Sequence, residues 1–87
     1  MKLSAEISMY PFNEAYIPPI QGFIDWLNQQ EGLLVSTKPT CTIVTGDYER
    51  VMQVLGEGMR YSVETWGKAV FVTKFLPGFA ALPEANA

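Results

Sequence analysis

Hydroxyl side chains recur at alternating positions along several strand-like stretches of this chain. Glu6, Ser8 and Tyr10 alternate with Ala5, Ile7 and Met9; Thr40 and Thr42 flank Cys41; Thr37 precedes Lys38; and Thr73 lies in the last apolar stretch. A hydroxyl both donates and accepts, so a group of them suits a small heterocycle that combines ring nitrogens with an amino group. Glu6 could accept from that amino group or balance a cation, and Tyr10, Trp26, Tyr48 or Trp66 could offer a ring face to a cation. The same Ser, Thr and Glu residues are also what the solvated side of an ordinary strand presents. Both Trp residues continue helical apolar stripes that a core would use.

Other chemistries lack their parts. The chain has no histidine, which removes Ser-His and Cys-His nucleophiles and any histidine metal or haem site. The single cysteine, Cys41, stands between threonines. It reads as a small buried hydrophobe, excludes an internal disulfide and fits a reducing compartment. Asp47 and Glu49 fall at the start of a helical pattern, where they serve as cap and first-turn charges. Gly56-Glu57-Gly58 lies inside a helical pattern rather than after a strand, so it is no phosphate loop. Nothing supplies an evident nucleophile, so no enzyme, no cofactor and no metal are expected.

Net charge is -3, and nucleic acid requires a basic footprint. An RNA-recognition domain would also need exposed aromatics on its central strands, and the Cys41–Thr45 stretch has none. No apolar run approaches the roughly 18 residues of a membrane span. The N-terminus shows no basic-then-apolar signal pattern. The expectation is a cytoplasmic protein with neither nucleic acid nor membrane as partner. Hydrophobic residues make up 48% and charged residues 17% of the 87, a composition apolar enough to predict self-association.

The elements that must position these residues follow from periodicity. Leu3 to Tyr10 alternates apolar and polar as a strand with one dry and one polar face, closed by Pro11. The polar face is taken as the working surface. Ile17, Ile20, Ile24 and Leu27 lie on one helical face, with Pro18 and Pro19 in the first turn and Gly32 beyond the end, predicting a helix over 17–30. Leu33–Thr37 and Cys41–Thr45 read as a strand pair joined by a turn at Lys38-Pro39-Thr40. Tyr48, Val51, Leu55, Met59, Val63 and Trp66 predict a second helix over 48–65, in which Gly56 and Gly58 demand either close packing or a bend. Lys68 to Leu76 reads as a fourth strand. The order βαββαβ predicts an α+β ferredoxin-like sandwich, a four-stranded antiparallel sheet with two helices on one face. This domain covers residues 1–76. The tail, 77–87, reads as unpatterned, or as a segment whose Phe79 and Leu82 dock on a neighbour.

Ile7-Ser8-Met9-Tyr10-Pro11-Phe12-Asn13-Glu14 resembles the opening of the YkoF-like thiamine (hydroxymethylpyrimidine)-binding family. Thr37-Lys38 followed by Cys41-Thr42-Ile43-Val44-Thr45-Gly46-Asp47 looks like that family's hairpin and strand-to-helix turn. The similarity spans about Leu3 to Phe75. It implies non-catalytic binding of thiamine or its hydroxymethylpyrimidine moiety, in uptake, salvage or buffering. It also implies that Ser8 and Thr42 contact the pyrimidine and that Tyr10 shapes the pocket mouth. Glu6 and Thr37 join them from the strand-face argument. The family includes a tandem form with two such domains in one chain. This chain has one, so a homodimer or homotetramer is expected, with a second subunit able to complete the pocket. The alternative is a structural or regulatory oligomerisation module with no small-molecule ligand.

Overall fold

In the computed structural model, which describes residues 1–83, alternation along strand β1 (Lys2–Pro11) buries Leu3, Ala5 and Ile7 on one side. Helix α1 (Ile17–Asn28), strands β2 (Leu33–Thr37) and β3 (Thr42–Asp47), helix α2 (Tyr48–Trp66) and strand β4 (Ala69–Pro77) follow. The sheet order is β2-β3-β1-β4 and every pairing is antiparallel. This is the ferredoxin-like α+β arrangement. Leu3, Ala5, Ile7 and Val44 of the sheet form one core cluster with Phe23 and Leu27 of α1 and Val51, Val54 and Leu55 of α2. Both helices therefore lie on the same sheet face.

Helix α1 stops two residues short of the expected Gln30. The Gln29 and Gln30 amides bond back to the carbonyls of Trp26 (3.2 Å) and Leu27 (3.1 Å), and the Gln30 side chain takes the Trp26 carbonyl at 3.0 Å. Gly32, at φ 82°, makes the turn into β2 rather than capping the helix. At the start of α2, Asp47 has extended backbone but makes no side-chain cap bond. Its carboxylate instead accepts from Lys2 Nζ at 3.2 Å.

The buried row of α2 is Val51, Val54, Leu55, Gly58 and Ser62, whereas Met59 and Val63 of the expected stripe are exposed. Gly58 causes this roll. A Cβ there would lie 2.8 Å from Trp26 Cζ3 and 3.1 Å from Phe23 Cε1, so α1 rings fill the space a side chain would occupy. The Trp26 ring is in turn stacked on Tyr61, centroids 5.8 Å apart. Gly56 has nothing within 4 Å of the same position. Gly56→Ala is expected to raise stability by ~0.5–1 kcal/mol through backbone entropy. Gly58→Ala is expected to lower it, because overpacking costs about 1–3 kcal/mol. Thermal melts of the two variants should shift in opposite directions.

Residues 78–82 of the tail fold back on their own domain. Gly78, at φ 77°, reverses the chain, and its amide bonds to the Lys2 carbonyl at 2.7 Å. The Ser4 hydroxyl, fully buried, donates to the Phe79 carbonyl at 2.7 Å and accepts the Ala81 amide at 2.8 Å. Its one proton is thus committed, so Thr45 donates across the 2.9 Å contact between the two hydroxyls. The Thr45 oxygen also accepts the Leu82 amide at 3.3 Å. These bonds clasp residues 79–82 over the non-helical face, at the end holding Ser4 and Thr45. The last part of the tail, 84–87, lies outside the described residues.

Candidate functional site

Register decides which polar residues meet. Ile7 pairs with Thr42, and Thr42 with Thr37. Directly paired residues project to the same side of a sheet. Since Ile7 is in the core, Thr42 and Thr37 face the helices. Ser4, Glu6 and Ser8 face the other way, with Ile43 and Thr45 of β3 and Val72, Lys74 and Leu76 of β4.

On the helix side, between α1 and the β2–β3 hairpin, lies a cavity of about 450 Å³, within the range of small-molecule sites. Its floor is Ile7 and Met9 of β1. Ile20, Phe23 and Ile24 of α1 form one wall. Thr37, Lys38, Pro39, Thr40, Cys41 and Thr42 form the other, and Tyr10, Pro11, Asn13 and Tyr16 stand at the mouth. The hairpin is held by the Lys38 amide bonding to the Cys41 carbonyl at 2.8 Å, with Pro39 next in the turn. The mouth is held by the Asn13 side chain donating to the Trp66 carbonyl at 2.9 Å and the Phe12 amide to the Lys68 carbonyl at 3.0 Å. These bonds tie the β1–α1 loop to the C-terminal end of α2.

The five residues expected to bind therefore divide. Thr37 and Thr42 line the cavity, and Tyr10 touches it only at the mouth, because its pairing with Val70 puts its side chain on the same face as Ser8. Ser8 and Glu6 lie on that face and do not line the cavity. The Ser8 hydroxyl donates to the Thr40 carbonyl at 3.0 Å, and Glu6 stands 3.8 Å from Lys74. The polar face of β1 is thus not the cavity's surface. Strand alternation, continued through the β1–β3 register, separates Ser8 from Thr42. Among the described residues, no side-chain hydrogen bond engages the hydroxyl of Thr37 or Thr42. Both remain available to a ligand.

The α1 wall was not foreseen. Two apolar rows run along that helix: Pro19, Phe23 and Leu27 are buried in the domain, while Ile20 and Ile24 are half-buried and border the cavity. The sequence signal is the width of the stripe, with Ile20 and Ile24 beside Phe23 and Leu27. Chemically, the cavity offers hydroxyls, an amide and one ammonium around an aromatic and aliphatic interior. Among the described residues its lining holds no Asp or Glu, and no three His, Cys, Asp or Glu side chains cluster as metal ligands. No helix is long and apolar enough to cross a membrane.

Comparison with known proteins gives a fold likeness. No family model and no curated protein matches the chain. Among solved structures, protein SP2199 of Streptococcus pneumoniae is similar with a TM-score of 0.82 at 22% identity, over 91% of this chain and 89% of that one. A candidate thiamine biosynthesis/salvage protein of Thermotoga maritima gives 0.78 at 22% identity, over 86% and 82%. A domain of unknown function, DUF77, from Bacillus cereus gives 0.75 at 13% identity, over 94% and 83%. At these identities the likeness establishes the shared fold.

Proposed function

We propose that this protein binds thiamine or its hydroxymethylpyrimidine moiety without chemical conversion, in the cavity between α1 and the β2–β3 hairpin. The observation that carries the reading is the lining itself. Two unengaged threonine hydroxyls, Thr37 and Thr42, face an interior of Ile20, Phe23 and Ile24. An aminopyrimidine needs such an arrangement: a flat apolar slot, with groups that donate and accept at its edge. The fold likeness to the Thermotoga protein and the resemblance of residues 7–14 to the YkoF-like family support it. The chain has no histidine and the cavity no carboxylate, which favours binding over acid–base work.

Isothermal titration of the purified protein with hydroxymethylpyrimidine and with thiamine tests the reading. Saturable binding of either supports it, and no heat at millimolar ligand removes it. Thr42→Val is close to isosteric and removes one hydroxyl. It is expected to weaken binding by ~1–3 kcal/mol, the cost of leaving a polar ligand atom without its partner, with an unchanged melting temperature. An unaltered affinity would take Thr42 out of the site.

The non-helical sheet face favours a second reading, which is compatible with the first. Val70, Val72 and Leu76 are exposed there beside Tyr10, and the tail clasp covers only the far end. We propose that a second copy covers this face, giving a homodimer or homotetramer. If the protein binds neither ligand and sediments as a stable oligomer, the domain is an assembly module only. A monomer at micromolar concentration in analytical ultracentrifugation would count against the interface.

A further inference from the structure

Resting on the pyrimidine reading above, we propose that the cavity takes its ligand as an anionic phosphate ester, with the Lys38 ammonium as counter-charge. Among the described residues, Lys38 is the only Lys or Arg in the cavity lining, and no Asp or Glu there neutralises it. Of the other five cationic side chains, Arg60 and Lys68 do not line the cavity and three are engaged elsewhere. Lys2 pairs with Asp47 at 3.2 Å, Lys74 with Glu6 at 3.8 Å, and Arg50 bonds to the Glu31 carbonyl at 3.0 Å and Gln53 Oε1 at 3.1 Å. Lys38 has no ion pair among the described residues. In a chain of net charge -3, Lys38 thus gives this lining a single formal positive charge.

The donors nearby point the same way. Helix α1 begins beside the cavity, but Pro18 and Pro19 occupy its first turn and carry no N–H. The helix start therefore lacks two of the amides that would otherwise meet a phosphate. An anion entering here is met by the Lys38 ammonium and the hydroxyls of Thr37 and Thr40, all on the hairpin. A phosphate monoester carries about 1.5 to 2 negative charges at neutral pH, and lysine serves it as a point charge. The pyrimidine ring lies deeper, between Phe23 and Thr42, with the ester toward the hairpin.

The test is titration calorimetry at low salt with hydroxymethylpyrimidine, its monophosphate and thiamine, on the parent protein, K38Q and K38R. The monophosphate is expected to bind about tenfold tighter than the free alcohol, the scale of one partly hydrated charge-assisted contact. Thiamine is expected to bind no better than the alcohol. K38Q should bring the alcohol and monophosphate affinities together, K38R should keep them apart, and added salt should shrink the gap. Equal affinities in the parent protein, or a preference that survives K38Q, would overturn the inference and leave the pyrimidine reading standing. Failure of all three ligands to bind overturns both. Lys38 is exposed, and equal melting temperatures of the three proteins will show that the fold is intact.

Discussion

Ile20→Trp is expected to abolish binding of hydroxymethylpyrimidine while leaving the domain folded. Ile20 lies on the α1 wall of the cavity and is only half-buried. It belongs neither to the core cluster nor to the residues packed against it. An indole at this position has empty space to enter, about 450 Å³ of it, so the substitution fills the ligand's place without displacing core side chains. Binding should weaken by ~100-fold or more, equivalent to about 2.8 kcal/mol. The melting temperature should hold or rise, as newly buried apolar area is stabilising. Calorimetry and a thermal melt on the same preparation check both. Undiminished affinity would place the ligand elsewhere.

Phe23→Ala is expected to cost ~3–5 kcal/mol of stability, the range for deleting a buried aromatic ring. Phe23 is 2% exposed and meets Phe71 edge-on with ring centroids 5.1 Å apart. It also closes the space above Gly58 and forms part of the cavity wall. Domains of this size have about 5–15 kcal/mol of total stability, so this one ring carries a large share. At roughly 4–8 °C per kcal/mol, the melting temperature should fall by about 12 °C or more. Urea unfolding should give a lower midpoint with little change in slope. Where the variant remains folded in the cold, ligand binding should weaken too, because the proposed site loses part of its α1 wall. A small loss of stability with intact binding would mean that Phe23 is neither a core residue nor a wall.

The sheet and helices could be read from the sequence because each rests on local periodicity. Leu3, Ala5 and Ile7 alternate with polar residues, and both helices repeat apolar residues every three or four positions. The fold class follows from their order. What escaped depended on contacts between distant segments. In β3, Ile43 and Val44 are both apolar, so alternation alone does not choose the inward side, and Thr42 was grouped with Ser8. Only the pairing of Thr42 with Ile7 settles that it faces the helices. Met59 and Val63 fitted the helical stripe as well as Val54 and Ser62. The approach of Trp26 and Phe23 to Gly58 decided between them, and no property of α2 by itself contains it. The tail's anchor was hidden for a similar reason. Ser4 is a single hydroxyl in a polar row, and it becomes a clasp only when Gly78 turns the chain back over it.

The central claim is that the ligand lies on the helix side of the sheet. Amide chemical-shift mapping during titration with hydroxymethylpyrimidine tests it most directly. The account predicts that the largest shifts fall on Ile20, Ile24, Thr37 and Thr42, with Glu6, Val72 and Lys74 on the opposite face nearly still. Shifts concentrated on Glu6, Val72 and Lys74, with Thr42 unmoved, would contradict it.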